Sequence, residues 1–353
     1  MTKEQILSIL TGVTHPGQED RSIVELGLVQ DIELEPGRVT VTLAFPKRPD
    51  PLKNYLEGAA KAALYRALPG GTQIEVLSVV KSPAPKQKAP EFTLDEVATV
   101  RHIVGIASGK GGVGKSTVAV NLAIALARQG YRVGLADADV YGPSVPIMTG
   151  TEGETPEMIK EDDKDIMLPI EKYGVKWMSI GYFAQPGQAL IWRGPMACSA
   201  LKQMILQVRW GVLDFLLVDM PPGTGDIHIS LVQEIPMEGA VIVTTPQDVA
   251  LADVEKGVDM FRNKNIERPV FGLVENMAWF TPEAHPDERY YLFGNGGGAR
   301  MAERFGIPLL GQIPLVQSIR ECGDTGEPAA LGSRPDSLAF LELATRLAAA
   351  VEK

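Results

Sequence analysis

Cysteine is almost missing from this chain: Cys198 and Cys322 are the two in 353 residues. Thiols so far apart imply no disulfide framework, and the expected location is cytoplasmic. Histidine is nearly as scarce. His15, His102, His228 and His285 show no metal-ligand spacing with one another. No apolar stretch is long enough to cross a bilayer, because charges and prolines interrupt every candidate. The opening Met1-Thr2-Lys3-Glu4 lacks the apolar core of a signal peptide. Positive charge is in deficit, with 34 Lys and Arg against 44 Asp and Glu, a formal net charge of −10. That balance disfavours unspecific binding to nucleic acid or anionic membranes, so neither is an expected partner.

A chain of 353 residues exceeds one ordinary domain and suggests two. Residues 1–81 read as a small α+β domain. A helix near residues 3–10 leads through 23–28 to a strand over 29–34 and a Pro36-Gly37 turn. Val39, Val41 and Leu43 alternate with Thr40 and Thr42, the period of a half-buried strand. Asp50-Pro51 signals a helix start, and Leu52, Tyr55, Leu56, Ala59, Ala63 and Leu64 form one face of that helix. Pro69-Gly70-Gly71 ends it before a last strand over 74–80. Residues 82–98 are expected to connect the domains, since 82–92 is rich in proline and polar residues.

From 99 to 353 buried strands alternate with helices. The runs 103–107, 131–136, 215–218, 240–244, 270–274 and 309–313 are nearly all apolar, as parallel strands covered on both faces are. The first helix, 115–129, is terminated by Gly130. The expected fold class is α/β: a P-loop NTPase with a doubly wound, mainly parallel sheet, preceded by the small α+β domain.

Residues 108–117, Ser-Gly-Lys-Gly-Gly-Val-Gly-Lys-Ser-Thr, fit G-x-x-x-x-G-K-[ST] between a strand and a helix. In such a loop Gly109, Lys110, Gly111, Gly112, Val113 and Gly114 turn backbone N–H groups toward phosphate oxygens, and the helix N-terminus adds partial positive charge. Lys115 is placed to reach the β- and γ-phosphates, Ser116 to ligate Mg²⁺ and Thr117 to donate to the α-phosphate. Lys110 is a second cation. It reads either as a stabiliser of charge on the transferred phosphoryl group or as a solvated lysine that raises local potential. Asp219 ends a buried strand before Met-Pro-Pro-Gly-Thr-Gly-Asp (220–226), the position from which an aspartate holds Mg²⁺. Asp137 and Asp139 follow another strand. One of them is placed to orient or deprotonate the attacking water, and Asp139 is the better candidate. His228, just after the Asp226 loop, reads either as a contact to the nucleotide site or, the better reading, as a loop histidine without a catalytic task.

These motifs, with Asp-Ala-Asp-Val-Tyr-Gly-Pro-Ser-Val-Pro (137–146), Trp-Arg-Gly-Pro-Met (192–196), Val-Glu-Asn-Met (274–277) and Phe-Gly-Asn-Gly-Gly-Gly (293–298), resemble the Mrp/ApbC family. That family comprises iron–sulfur cluster carrier ATPases of the deviant Walker A group, which also contains MinD and ParA. The first domain is similar to the MIP18-like domain fused in front of bacterial members, best at Ser-Ile-Val-Glu-Leu-Gly-Leu-Val (22–29). The resemblance implies a slow ATPase that uses ATP and Mg²⁺, forms a homodimer with nucleotide between the subunits, and acts on apoprotein clients. Lys110 would reach the partner's nucleotide, Asp139 would position the water and Asn276 would recognise adenine.

One departure stands out. Family members carry a Cys-x-x-Cys pair after Glu-Asn-Met, so that two subunits supply four thiolates to a [4Fe–4S] cluster. Here 278–287 is Ala-Trp-Phe-Thr-Pro-Glu-Ala-His-Pro-Asp, and 46–51 lacks the expected cysteine as well. A cluster needs soft thiolate donors. The stretch 278–287 reads either as a surface loop, the better reading, or as a site where Glu283 and His285 substitute for the thiolates; Cys198 and Cys322 read as buried or inert thiols, and the cluster ligands stay unassigned. Three functions follow. The chain is an ATP-hydrolysing cluster carrier and assembly factor, a nucleotide-gated dimeric interaction protein that binds no cluster itself, or a ParA/MinD-like positioning ATPase, which the acidic net charge disfavours. The C-terminal segment, poor in Lys and Arg, is expected to pack on its domain rather than on a membrane.

Overall fold

The computed structural model describes residues 2–16, 21–45, 52–80, 93–140, 142–161, 164–183, 194–282, 284–285 and 287–352. The chain divides into two compact units, Met1–Glu91 and Phe92–Lys353.

In the first unit α1 (Lys3–Leu10) opens on a capping box: the Thr2 hydroxyl accepts from Gln5 N–H, and the Gln5 side chain accepts from Thr2 N–H. Strands β1 (Val29–Glu35) and β2 (Arg38–Phe45) pair antiparallel across a turn at Gly37. Helix α2 (Lys53–Ala67) then crosses over, so that β3 (Gln73–Val80) lies parallel to β2. The buried stripe of α2 is Leu56, Ala60 and Leu64, one residue every helical turn, and it meets Ile6, Leu10, Val41 and Leu43. Tyr55, expected on that face, is 57 % exposed. The Asp50-Pro51 signal and most of the connector lie outside the described residues. Residues 93–98, expected in the connector, belong to the second unit, where Val97 enters the core and Glu96 pairs with Arg209.

The second unit is built on β4 (Val100–Ala107), β5 (Val133–Asp137), β8 (Ile170–Lys172), β9 (Val175–Ser179), β10 (Leu213–Asp219), β11 (Gly239–Thr244), β12 (Val270–Phe280) and β13 (Leu309–Leu315). They form one sheet in the order β13-β12-β11-β4-β10-β5-β9-β8, parallel throughout except for the antiparallel edge strand β8. A separate ribbon pairs β6 (Met158–Glu161) with β7 (Lys164–Met167). Helices α3 (Lys115–Arg128), α4 (Val145–Thr149), α5 (Gly194–Leu206), α6 (Asp226–Glu234), α7 (Asp248–Arg262), α8 (Gly297–Phe305), α9 (Gln317–Thr325) and α10 (Pro335–Val351) complete the unit.

Strand β4 is central, and the chain leaves it toward neighbours on both sides. The carboxyl ends of β4, β5 and β10 therefore open one crevice at the switch point, where doubly wound sheets place their sites. Helix α3 is buried almost all round, from Val118 to Leu126, and α10 packs on it through Phe340, Leu343, Ala344 and Leu347. The C-terminal segment thus packs on its own unit, and no described helix is long and apolar enough to span a membrane. Strand β5 starts at Val133, later than expected, and ends on Asp137, which makes that aspartate a strand residue.

Candidate active site

The turn from β4 into α3 forms the floor of the crevice. Gly114, the residue before α3, has φ +78°, and a Cβ there would lie 2.3 Å from Asn276 Nδ2. At Gly109 a Cβ would lie 2.3 Å from the Asp253 carbonyl oxygen. Neither position accepts a side chain without moving a neighbour. The loop encloses a cavity of about 210 Å³ whose walls include Lys110, Ser116, Thr117, Asp139, Met148 and Pro222.

Lys115 sits at its centre, 5 % exposed, with Nζ 2.5 Å from Asp219 Oδ1, 3.3 Å from Ser116 Oγ and 3.8 Å from Asp139 Oδ2. Asp219, the last residue of β10, is wholly buried. Burial pushes its carboxyl pKa up, against the pull of the Lys115 ammonium, and its Oδ2 has no hydrogen-bond partner. A buried carboxylate oxygen left unpaired beside a serine hydroxyl fits a hard divalent cation of the Mg²⁺ type. Lys110 is half-buried on the cavity wall and makes no ion pair among the described residues.

The two aspartates after Leu135 separate into different tasks. Asp139 lines the cavity. Asp137 is buried beneath it and accepts from Asp139 N–H at 3.1 Å, Ser179 Oγ at 2.8 Å and Val145 N–H at 3.4 Å. It thereby braces residues 138–145. Burial, reinforced by the nearby charge of Asp219, pushes the Asp137 pKa up to about 7.

Asn276 is buried near the end of β12, with Nδ2 donating to the Val113 carbonyl at 2.8 Å. It borders a second cavity of about 380 Å³, shared with Gly114, Thr117, Met148, Pro314 and Ile319. The next residue, Met277, has φ +54°, an uncommon conformation for a non-glycine residue. Glu275, which the motif reading left without a task, accepts from Gly298 N–H at the start of α8 and from Gln312 Nε2 at 2.9 Å. Ser144, Met148 and Pro222 were also missed, because no local motif marks a residue that reaches the cavity only through the fold.

Two expectations change. His228 is not a loop residue: it lies on α6, is 3 % exposed, and its Nε2 is 2.6 Å from the Pro221 carbonyl oxygen. The stretch expected as a loop after Met277 begins as strand, since β12 runs through Phe280 and pairs with Tyr290. Cys198 on α5 and Cys322 on α9 are half-buried, and burial raises the Cys322 pKa. His285 is exposed beside Glu288; Glu283, Trp192 and Arg193 lie outside the described residues. Among the described residues no group of three or more His, Cys, Asp or Glu is arranged to hold a metal ion.

A parallel sheet with a glycine-rich turn at its switch point, a buried lysine in that turn and an aspartate closing the adjacent strand define a P-loop NTPase. Residues 99–349 match the ParA family, described as NUBPL iron-transfer P-loop NTPase, and residues 3–77 match a family described as iron-sulfur cluster assembly protein. The chain belongs to the NUBPL iron-transfer P-loop NTPase family. It is 42 % identical over 337 residues to the iron-sulfur cluster carrier protein of Synechocystis, an alignment covering 96 % of this chain and 93 % of that one. It is 44 % identical over 347 residues to the protein of the same name from Aquifex aeolicus, covering 92 % of each. Among solved structures, a nucleotide-binding protein from Archaeoglobus fulgidus in complex with ADP is similar at 34 % identity and a TM-score of 0.59, covering 70 % of this chain and 94 % of that one.

Proposed function

We propose that this chain binds MgATP in the 108–117 loop, hydrolyses it slowly to ADP and phosphate, and uses that cycle as an iron–sulfur cluster carrier and assembly factor for apoproteins. The observation that carries the reading is the Lys115 ammonium, held between Asp219, Asp139 and Ser116 at the mouth of a glycine-rich cradle. On binding, Lys115 leaves Asp219 for the β- and γ-phosphates while the loop N–H groups hold their oxygens and Thr117 donates to the α-phosphate. Ser116 and Asp219 would hold Mg²⁺, which would supply positive charge to offset that of the phosphates. Asp139 orients the attacking water, and Lys110 stabilises charge on the departing phosphoryl group, its own or that of a second copy in a homodimer. Adenine takes the cavity beside Asn276. The relatives named as iron-sulfur cluster carrier proteins support the cluster as cargo.

One fact favours a second reading. Its two thiols, Cys198 and Cys322, stand on different helices, α5 and α9, and no Cys-x-x-Cys pair gives each subunit two adjacent thiolates for a bridging cluster. On that reading it is a nucleotide-gated dimeric interaction protein that binds no cluster itself. Anaerobic reconstitution with iron and sulfide, followed by charge-transfer absorbance and transfer to an apo-acceptor, separates the two. Colour that moves to the acceptor supports carriage, and ATP hydrolysis without colour selects the second reading. If the wild type hydrolyses no faster than Lys115→Ala, the ATPase is lost from both.

A further inference from the structure

The loop that follows Asp219 poses a hydrogen-bond problem that the proposed site does not solve. Residues 221 and 222 are both proline, so neither has an N–H, and neither can take part in a ladder or turn as a donor. The segment is pinned elsewhere: Met220 N–H donates to the Ile106 carbonyl at 3.0 Å and Gly223 N–H to the Ser108 carbonyl at 3.0 Å. These bonds tie its two ends to β4 and to the start of the phosphate loop. Between them stands the buried carbonyl of Pro221, whose partner is the imidazole of His228 at 2.6 Å. A carbonyl only accepts, so Nε2 carries the proton. Nδ1 is buried without a partner, which suits an unprotonated nitrogen better than an N–H. Burial also holds the ring below its ordinary pKa and so neutral. His228 sits in the first turn of α6, where its backbone N–H donates to the Gly225 carbonyl at 3.0 Å.

Pro222, the residue after the tethered carbonyl, is part of the cavity wall opposite the glycines: a Cβ on Gly111 would lie 3.9 Å from Pro222 Cβ. We infer that His228 is a positioning residue for ATP hydrolysis: its Nε2–H fixes the Pro221 carbonyl, and through it the Pro222 wall and the loop leading from Asp219. This rests on the reading that the site hydrolyses ATP. Affinity for nucleotide comes mainly from the 109–117 loop, which His228 does not touch. Its loss therefore falls on the chemical step, where a small misplacement of the groups around the γ-phosphate is costly, and not on ground-state binding.

The test compares His228→Leu, which fills the space without a donor, with His228→Gln, whose amide N–H is placed to reach the same carbonyl. The readouts are kcat for ATP, the Kd of a fluorescent ADP analogue, and amide exchange at residues 223–225. The leucine variant should lose about tenfold in kcat with Kd within about twofold of wild type, and exchange at 223–225 should quicken at least about fivefold. Glutamine should restore most of both. The inference is overturned if leucine leaves kcat and exchange unchanged, if Kd weakens in step with kcat, or if glutamine fails as badly as leucine while both melt like wild type. A wild type that hydrolyses nothing removes the ATPase reading, yet exchange at 223–225 still decides whether His228 holds the loop.

Discussion

Replacing Asp219 by asparagine isolates the competition on which nucleotide entry turns. The Lys115 ammonium lies 2.5 Å from Asp219 and 3.8 Å from Asp139, with the lysine 5 % and Asp219 0 % exposed. A phosphate must draw the ammonium off that carboxylate. At an effective dielectric of about 20, unit charges roughly 3–4 Å apart attract by about 4–5 kcal/mol. The phosphate offers a similar attraction, so the exchange is close to balanced and the net value of the contact decides it. A hydrogen bond between charged groups is worth about 1.5–3 kcal/mol net, and Asp139 retains part of that when Asp219 is neutral. Asp219→Asn should thus release about 1–2 kcal/mol, tightening Mg²⁺-free ADP roughly 5–30-fold. The same change removes the buried carboxylate oxygen that fits the cation, so the gain in affinity expected from added Mg²⁺ in the wild type should be lost in the variant. Calorimetric titration of ADP in EDTA and again in excess Mg²⁺ reads both effects. Unchanged or weaker affinity in EDTA, or a Mg²⁺ response equal to the wild type's, would refute the reasoning.

Asp139→Ala should lower the ATPase rate at least about a hundredfold while ATP affinity stays within about threefold, because a water-orienting group acts mainly in the transition state; a parallel loss of affinity would place Asp139 in binding instead. Asp137 gives a pH dependence. Its native pKa of about 7 stands above the unfolded value of 3.8, so its contribution to stability is whole below 3.8 and is gone once pH has risen through 7. Asp137→Asn has no such proton to lose. Urea unfolding from about pH 4 to about pH 8 should show the wild type losing roughly 2–4 kcal/mol relative to the variant, and parallel pH profiles would contradict the raised pKa. Asn276→Ala removes the donor to the Val113 carbonyl and a wall of the second cavity. ATP affinity should fall about 5–10-fold with the preference for ATP over GTP narrowed, and preference retained in full in competition assays would move base recognition elsewhere.

The parts of this molecule legible in sequence are those whose physics is local. A glycine-rich turn before a lysine announces itself because positive φ and close backbone approach leave few residue choices. Apolar runs such as 215–218 announce central parallel strands because both faces are covered. The elements from Met158 to Ser179 lacked both signals. β6, β7 and β8 are three or four residues long, rich in Lys, Glu and Asp, and lie at the sheet's edge or off it, so neither an apolar run nor a clean alternation marks them. Nor does composition tell which carboxylate of Asp137 and Asp139 is sealed under the loop. That follows from Ser179 and Val145, brought there by β9 and α4. His228 was misplaced for a related reason: turn residues precede it, and helix α6 starts directly behind them at Asp226.

The hardest features to read are pairings between distant segments that explain a motif's own residues. Gly114 belongs to the local pattern, yet what forbids a side chain there, beyond its φ of +78°, is the Asn276 amide, which must come close to bond the Val113 carbonyl 163 positions away. The same strand end repeats the device. Glu275 crowds Gly298, where a Cβ would lie 2.7 Å from its Oε2, and accepts from that residue's N–H. Two consecutive side chains of β12 thus clamp two helix starts, α3 and α8, and the uncommon backbone of Met277 follows directly after them. A strand end so constrained cannot shift to fit a base without also pulling on the phosphate loop. On the proposed reading, in which Asn276 meets the adenine, recognition of the base and geometry at the phosphates would be coupled through this strand.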